Sequence, residues 1–143
     1  IPQVFYGDEY AMKSADRNLG HSTLRMPLPL GEAVTEEMQD MFDYQSRLFQ
    51  WRKGEPVIHT GRTMHFMSRD NTYAFFRYND SEAVFVFANA SEENRTIPTT
   101  NYAEILSKYN AVGQDVITGK TYDLSRQDIV IPALTSIVVK LSK

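Results

Sequence analysis

Tyr73-Ala74-Phe75-Phe76-Arg77-Tyr78, Asn79-Asp80-Ser81 and Ala83-Val84-Phe85-Val86-Phe87-Ala88 decide the fold. Both apolar runs are short and rich in aromatic and β-branched residues, which favours strand over helix. The polar triplet between them has turn chemistry, because Asn and Asp side chains bond their own backbone and tolerate unusual torsions. The two runs therefore predict an antiparallel hairpin. Ala83–Ala88 is apolar on both faces, so it belongs at the centre of a sheet, covered on each side.

The same period of two continues on either side. Met64–Met67 reads as a strand that turns at Arg69-Asp70-Asn71 into Tyr73–Tyr78. Downstream, Arg95–Ile97, Asp115–Ile117, Lys120–Leu124, Asp128–Ile131 and Thr135–Leu141 read as strands, with a short helical turn over Tyr102–Tyr109. Thr118-Gly119-Lys120 and Ser125-Arg126-Gln127 are the late hairpin turns. Many short strands at close spacing predict a mainly β domain, an antiparallel Greek-key β-sandwich.

Upstream, residues 36–53 predict a helix. Thr35 is its N-cap, and Glu36 and Glu37 suit the positive end of its dipole. Arg52 and Lys53 suit the negative end, Gly54 ends it, and Pro56 blocks continuation. Trp51, Tyr44, Leu48, Met41, Met38, Phe49 and Phe42 fall in one arc of roughly 180° at ~100° per residue. A helix on a single core needs a narrower stripe, so this one is expected to touch two bodies. Residues 10–34 read as irregular, punctuated by Gly20, Pro27, Pro29 and Gly31, and a stretch that long is functional or packed on something else. Val4-Phe5-Tyr6 reads as a strand closed by the turn Gly7-Asp8-Glu9. Its backbone groups need sheet neighbours, and nearby sequence offers few. The expectation is that the chain opens in the middle of a larger fold.

Composition narrows the function classes. With 143 residues and 42% hydrophobic content the chain can bury one real core. A net charge of −3 with interspersed signs leaves no electrostatic footprint for nucleic acid or an anionic membrane. No apolar run approaches the ~20 residues of a membrane span. The absence of cysteine excludes disulfides, a thiol nucleophile and a Cys-based zinc site. Asn89-Ala90-Ser91 and Asn94-Arg95-Thr96 fit the glycosylation pattern, but such triplets are common by chance.

Few residues offer chemistry. His59 and His65 are not at metal-ligand spacing and are expected to be structural or solvent-facing. Adjacent Asp8 and Glu9 would point to opposite faces of an extended chain, and Glu36 and Glu37 belong to a helix start, so no carboxylate pair for glycoside hydrolysis is present. No residue reads as catalytic or as a metal ligand, and no cofactor is implied. Tyr73, Phe75, Phe76, Tyr78, Phe85 and Phe87 could stack on a sugar, but alternation in neighbouring strands makes core packing their expected role. The polar residues Asp16, Arg17, Asn18, His21, Ser22 and Arg25 cluster in the loop, where they could hydrogen-bond a saccharide or simply be solvated.

Three blocks resemble the α-amylase family (glycoside hydrolase family 13). Ile1–Met12, IPQVFYGDEYAM, is similar to the end of the eighth barrel strand in the cyclomaltodextrinase, neopullulanase and maltogenic amylase branch and its bacterial relatives. Leu48–Ile58, LFQWRKGEPVI, resembles the last barrel helix and its exit, and the all-β tail resembles the sandwich that follows the barrel. The resemblance implies that residues 1–58 are the remnant of a (β/α)8 catalytic barrel (last strand, loop, last helix) and residues 59–143 a C-terminal all-β sandwich domain. It implies a parent enzyme that cleaves α-1,4-glucosidic bonds in maltodextrin, cyclodextrin or starch by a retaining mechanism. The catalytic residues of such enzymes come from earlier strands, so this segment is expected to be non-catalytic and structural. A free-standing α-glucan-binding module is the alternative. Relatives often place an Arg in this loop to bind sugar hydroxyls, and Arg25 occupies the similar position. His21 stands where cyclodextrin-acting relatives carry a sugar-contacting Asp, and Asp16 could substitute for it. The implied partners are the catalytic barrel and α-glucan, with no nucleic acid or membrane, and self-association through the helix face is expected if that face lacks its cover. Relatives occur in the bacterial cytoplasm and periplasm.

Overall fold

The computed structural model describes residues 2–13, 15–126 and 128–143, so Ile1 and the Gln127 end of the last turn lie outside the described residues. The chain divides into two compact units, Ile1–Gln50 and Trp51–Lys143.

The second unit is an antiparallel β-sandwich. Its strands are β1 (Arg62–His65), β2 (Thr72–Tyr78), β3 (Glu82–Asn89), β4 (Arg95–Pro98), β5 (Val112–Asp115), β6 (Thr121–Asp123), β7 (Asp128–Ile131) and β8 (Thr135–Ser142). Six form one sheet in the order β1-β2-β3-β8-β5-β6, and β4 pairs with β7 in a second. The last strand returns to lie between β3 and β5, the long return of Greek-key wiring.

The hairpin chemistry explains the register. Asp70 and Asn71 sit at φ 50° and 59°, the left-handed pair that a type I′ turn requires. Arg69 and Thr72 exchange both backbone bonds, at 3.2 and 2.7 Å. Between that bridge and the Phe66–Ala74 bond, Met67 and Ser68 face Tyr73 alone, a β-bulge that twists the hairpin tip. At the next turn Asn79 Oδ1 accepts from the Ser81 and Glu82 amides at 2.9 Å each.

The core lies between the sheets. Ala83, Phe85 and Phe87 of β3 face inward with Ala74 and Phe76 of β2 and Ile137, Val139 and Leu141 of β8. Ile97, Ile129 and Ile131 of the small sheet close the other side, helped by Tyr102 and by Ile105 and Leu106 of the one-turn helix Ala103–Leu106. Phe76 and Phe85 stack with centroids 4.7 Å apart, a geometry that adds roughly 0.5–1.5 kcal/mol beyond area burial. The opposite face of β3 is covered at Val84, which is fully buried, while Val86 and Ala88 are half-buried. Central placement of this strand follows the expectation, with cover on the second face complete only at Val84.

Two buried polar residues tie the sandwich corners. Asn89, 2% exposed, donates from Nδ2 to the Glu93 and Pro132 carbonyls at 2.9 and 2.8 Å, and its Oδ1 accepts from the Ser91 amide and hydroxyl. The first glycosylation-like triplet is therefore internal scaffolding. Asp115 does similar work between β5, the following turn and β8.

Helix α1 spans Glu36–Lys53, with Thr35 Oγ1 accepting the Met38 amide at 3.3 Å as the N-cap. A second helix, α2 (Pro56–Thr60), follows at once. Pro56 starts it instead of merely stopping the first: at the initial helical position a missing N–H costs nothing and the fixed φ is already helical. Val57 of α2 is fully buried, and α2 lies against β2 and β3. Arg77 Nη2 donates to the Ile58 carbonyl at 2.8 Å, holding α2 there.

In the first unit the strand expected over Val4–Tyr6 is not formed. Pro2–Phe5 carry no regular structure, and Tyr6-Gly7 is a turn leading into a 3-10 turn at Asp8–Tyr10. A strand needs a neighbour to satisfy its N–H and C=O groups, and none pairs with these residues among those described. Instead the Asp8 carboxylate accepts the Phe5 amide at 2.9 Å and Glu9 accepts the Gly7 amide at 2.8 Å. The turn packs on α1: Tyr10 stacks on Phe42 at 5.6 Å, and Gln45 Nε2 donates to the Asp8 carbonyl at 2.8 Å.

Candidate functional site

Within the irregular stretch, two segments form 3-10 turns, Arg17–Leu24 and Gly31–Ala33, and residues 25–30 between them carry no regular structure. Gly20 breaks the first at φ 68°, in the left-handed region that glycine enters freely. The Thr23 hydroxyl lies 2.9 Å from the Asp16 carbonyl and 3.0 Å from the Gly20 carbonyl and shares its one proton between them, which draws the loop closed. The loop brings His21, Arg25 and Met26 to one cavity of about 400 Å3, together with Lys13, Met12 and the Phe5–Asp8 turn.

Two of the three candidate sugar-contacting residues, Arg25 and His21, thus line a common cavity. The third, Asp16, does not line it. Its carboxylate accepts the Asn18 amide at 2.8 Å, a local turn bond. The side chains of Arg17 and Ser22, also noted in this loop, lie outside the described residues. Phe5 and Tyr6 line the same cavity, with rings 4.6 Å apart and exposures of 52% and 44%, so both offer a face to a ligand. Lys13, Phe5 and Tyr6 were not singled out by sequence as ligand contacts. The available signal was the adjacent aromatic pair Phe5-Tyr6 directly before Gly7, which the strand reading absorbed.

The arrangement suits binding rather than bond cleavage. Among the described residues Asp8 is the one carboxylate that lines the cavity, and it is engaged by a backbone amide. A guanidinium, an imidazole and an ammonium group beside two aromatic faces can hydrogen-bond hydroxyls and stack on a sugar ring. Among the described residues no cluster of three His, Cys, Asp or Glu could hold a metal ion. No helix among them is long and apolar enough to cross a membrane.

The aromatics of β2 and β3 divide by face. Phe76, Phe85 and Phe87 are core. Tyr73, 38% exposed, and half-buried Phe75 stand on the outer face beside His65, whose ring nitrogen bonds the Tyr73 hydroxyl. His59 Nε2 meets the Arg52 carbonyl at 3.0 Å, a helix-end contact.

Comparison with known proteins places this architecture. An Anoxybacillus α-amylase superposes with a TM-score of 0.69 at 16% identity, over 96% of this chain and 28% of that one. A Geobacillus thermoleovorans α-amylase, solved with acarbose, gives 0.68 at 18% identity, over 96% and 29%. The Arthrobacter globiformis cyclic α-maltosyl-(1→6)-maltose hydrolase, solved with its named cyclic sugar, gives 0.61 at 19%, over 96% and 26%. At these identities the likeness speaks for the fold, and this chain spans less than a third of each of those chains. The fold is that of the C-terminal β-sandwich domain of α-amylase-family glycoside hydrolases. The profile of the cyclo-malto-dextrinase C-terminal domain matches residues 63–140, more than half of the sequence, and the chain belongs to that family. The sandwich and the family resemblance read from the sequence are both confirmed.

Proposed function

We propose that this chain is the C-terminal portion of an enzyme that hydrolyses α-1,4-glucosidic bonds in maltodextrin, cyclodextrin or starch, and that the segment itself is non-catalytic. Residues 1–58 belong to the catalytic barrel of that parent and residues 59–143 form the sandwich that follows it. The family membership of residues 63–140 supports the parent class. The observation that carries the substrate reading is the shared cavity of Arg25, His21 and the Phe5–Asp8 turn. In the parent, Arg25 and His21 hydrogen-bond sugar hydroxyls beside the Phe5 and Tyr6 rings, with Asp16 holding the loop that presents them. The carboxylates of the retaining mechanism come from outside this chain. The sandwich contributes by covering apolar surface of the parent.

Kinetics of the parent enzyme test the reading. Arg25→Ala is expected to raise KM for maltoheptaose or β-cyclodextrin about tenfold or more, as loss of a charged hydrogen bond costs roughly 1.5–3 kcal/mol. The isolated chain is expected to release no reducing sugar. Hydrolysis by the chain alone, or an unchanged KM in the variant, would overturn it.

A further inference from the structure

Helix α1 carries a polar side chain within its apolar arc. Gln45 stands three or four residues from Met41, Phe42, Leu48 and Phe49, the spacing that makes neighbours on one helix face. Polar residues of a surface helix belong on the opposite side, so Gln45 has a reason other than solvation. Its side-chain amide donates to the Asp8 carbonyl at 2.8 Å. We infer that Gln45 is a positioning residue for the cavity of Arg25 and His21: through Asp8 it fixes the Phe5–Asp8 wall on α1, and so sets where the Phe5 and Tyr6 rings meet a sugar. This role rests on the sugar reading of that cavity, and adds to it a residue that does not line it.

The turn makes its own shape. Gly7 adopts φ 93°, and an added Cβ there would lie 2.6 Å from Met12 Sδ. The Gly7 carbonyl accepts the Tyr10 amide at 3.1 Å and the Met12 amide at 3.0 Å, and the Asp8 amide donates to the Phe5 carbonyl at 3.1 Å. These bonds run within residues 5–12, so none of them fixes where the turn stands on the helix. Contacts to α1 do. The stacking of Tyr10 on Phe42 is forgiving, because aromatic pairs hold over centroid separations of about 4.5–7 Å. The Gln45 bond is directional and fixes a distance. Of the two lone pairs on the Asp8 carbonyl, one takes the Ala11 amide at 3.0 Å and the other takes Gln45. His21 and Arg25 reach the cavity from a separate loop segment, so its width depends on where the turn is held, and a misplacement of about 1 Å costs contacts to a bound ligand.

The role needs a donor. A backbone carbonyl only accepts, so an ionised Glu, which has no proton to give, cannot replace Gln45, whereas Lys can donate on a flexible stem.

Kinetics of the parent enzyme with maltoheptaose test this, beside amide NMR of the chain. Gln45→Ala and Gln45→Glu are each expected to raise KM about three- to tenfold, the fold-change of one neutral hydrogen bond, with a smaller effect on kcat. Gln45→Lys is expected to bring KM back to within about twofold of wild type. A merely structural role would act differently: loss of folded enzyme lowers the apparent kcat and leaves KM alone. In the chain itself, Gln45→Ala should move the amide signal of Ala11, which shares the Asp8 carbonyl. An unchanged KM in Gln45→Ala, an unmoved Ala11 signal, or no recovery in Gln45→Lys would overturn the role. Arg25→Ala separates the two failures. If it raises KM while Gln45→Ala does not, positioning by Gln45 falls alone; if neither variant moves KM, the sugar reading of the cavity falls with it.

Discussion

Asp115 grips the backbone of Val138: its Oδ2 accepts the Val138 amide at 2.7 Å, and the neighbouring Val116 amide donates to the Val138 carbonyl at 2.9 Å. Its other oxygen accepts the Thr118 amide and hydroxyl, both at 2.8 Å, and the Ile117 amide at 3.2 Å. One carboxylate, 3% exposed, ends the β5–β8 ladder and caps the turn that leads to β6.

Asp115→Ala should therefore destabilise the sandwich by about 2–3 kcal/mol, the cost of stranding buried donors that a charged acceptor had satisfied. Urea unfolding should show a lower midpoint at an unchanged slope. An unchanged midpoint would mean water replaces the carboxylate at no cost, and the capping role would be wrong.

Lys140 provides a pH signature. Its ammonium lies 2.5 Å from Glu55 and 3.3 Å from Glu82. Burial opposes its charge, but hydrogen bonds and attraction from the two carboxylates outweigh that and leave its pKa above the ordinary lysine value. A pKa raised on folding adds stability that is fully present below the unfolded lysine pKa and is lost as pH rises through the folded one. The side chain is 38% exposed, so solvent screening keeps the pair below about 1 kcal/mol. Wild type should lose slightly more stability than Lys140→Met between neutral and strongly alkaline pH. Parallel pH curves in thermal melts would contradict this.

Phe42 governs a prediction about association. No residue of α1 is buried, and Met41 and Phe42 are 37% and 39% exposed even though Tyr10 stacks on the latter. Each such side chain left wet forfeits part of ~1.5–3 kcal/mol. The isolated chain should self-associate with increasing concentration, and Met41→Ser with Phe42→Ser should shift it toward monomer in light scattering. A wild-type chain that stays monomeric at all concentrations would refute it.

Sequence reading located elements where one local signal dominated. Helix α1 had a cap, dipole-matched ends and a glycine stop, and it begins and ends at Glu36 and Lys53 as those signals require. The apolar run of β2 and the alternating β7 also stand within one residue of where the pattern put them. β5 did not: the apolar Val116 and Ile117 suggested Asp115–Ile117, but the strand is Val112–Asp115. Asp115 diverts the following residues into a turn, and β5 runs through Gly113, where an added Cβ would collide with the Lys140 carbonyl. Pattern rules do not register a side chain that competes for backbone donors. The Arg25 cavity was partly legible through family resemblance.

The six-stranded sheet ends on one side in β1, four residues long and broken off by the Met67-Ser68 bulge, and on the other in β6, three residues long, whereas β3 and β8 at its centre have eight each. Such stunted borders give an incoming strand too few free amides and carbonyls to dock on. Copies of this chain that stick together will not do so by adding strands to the six-stranded sheet, which its own borders close to fibre-like growth.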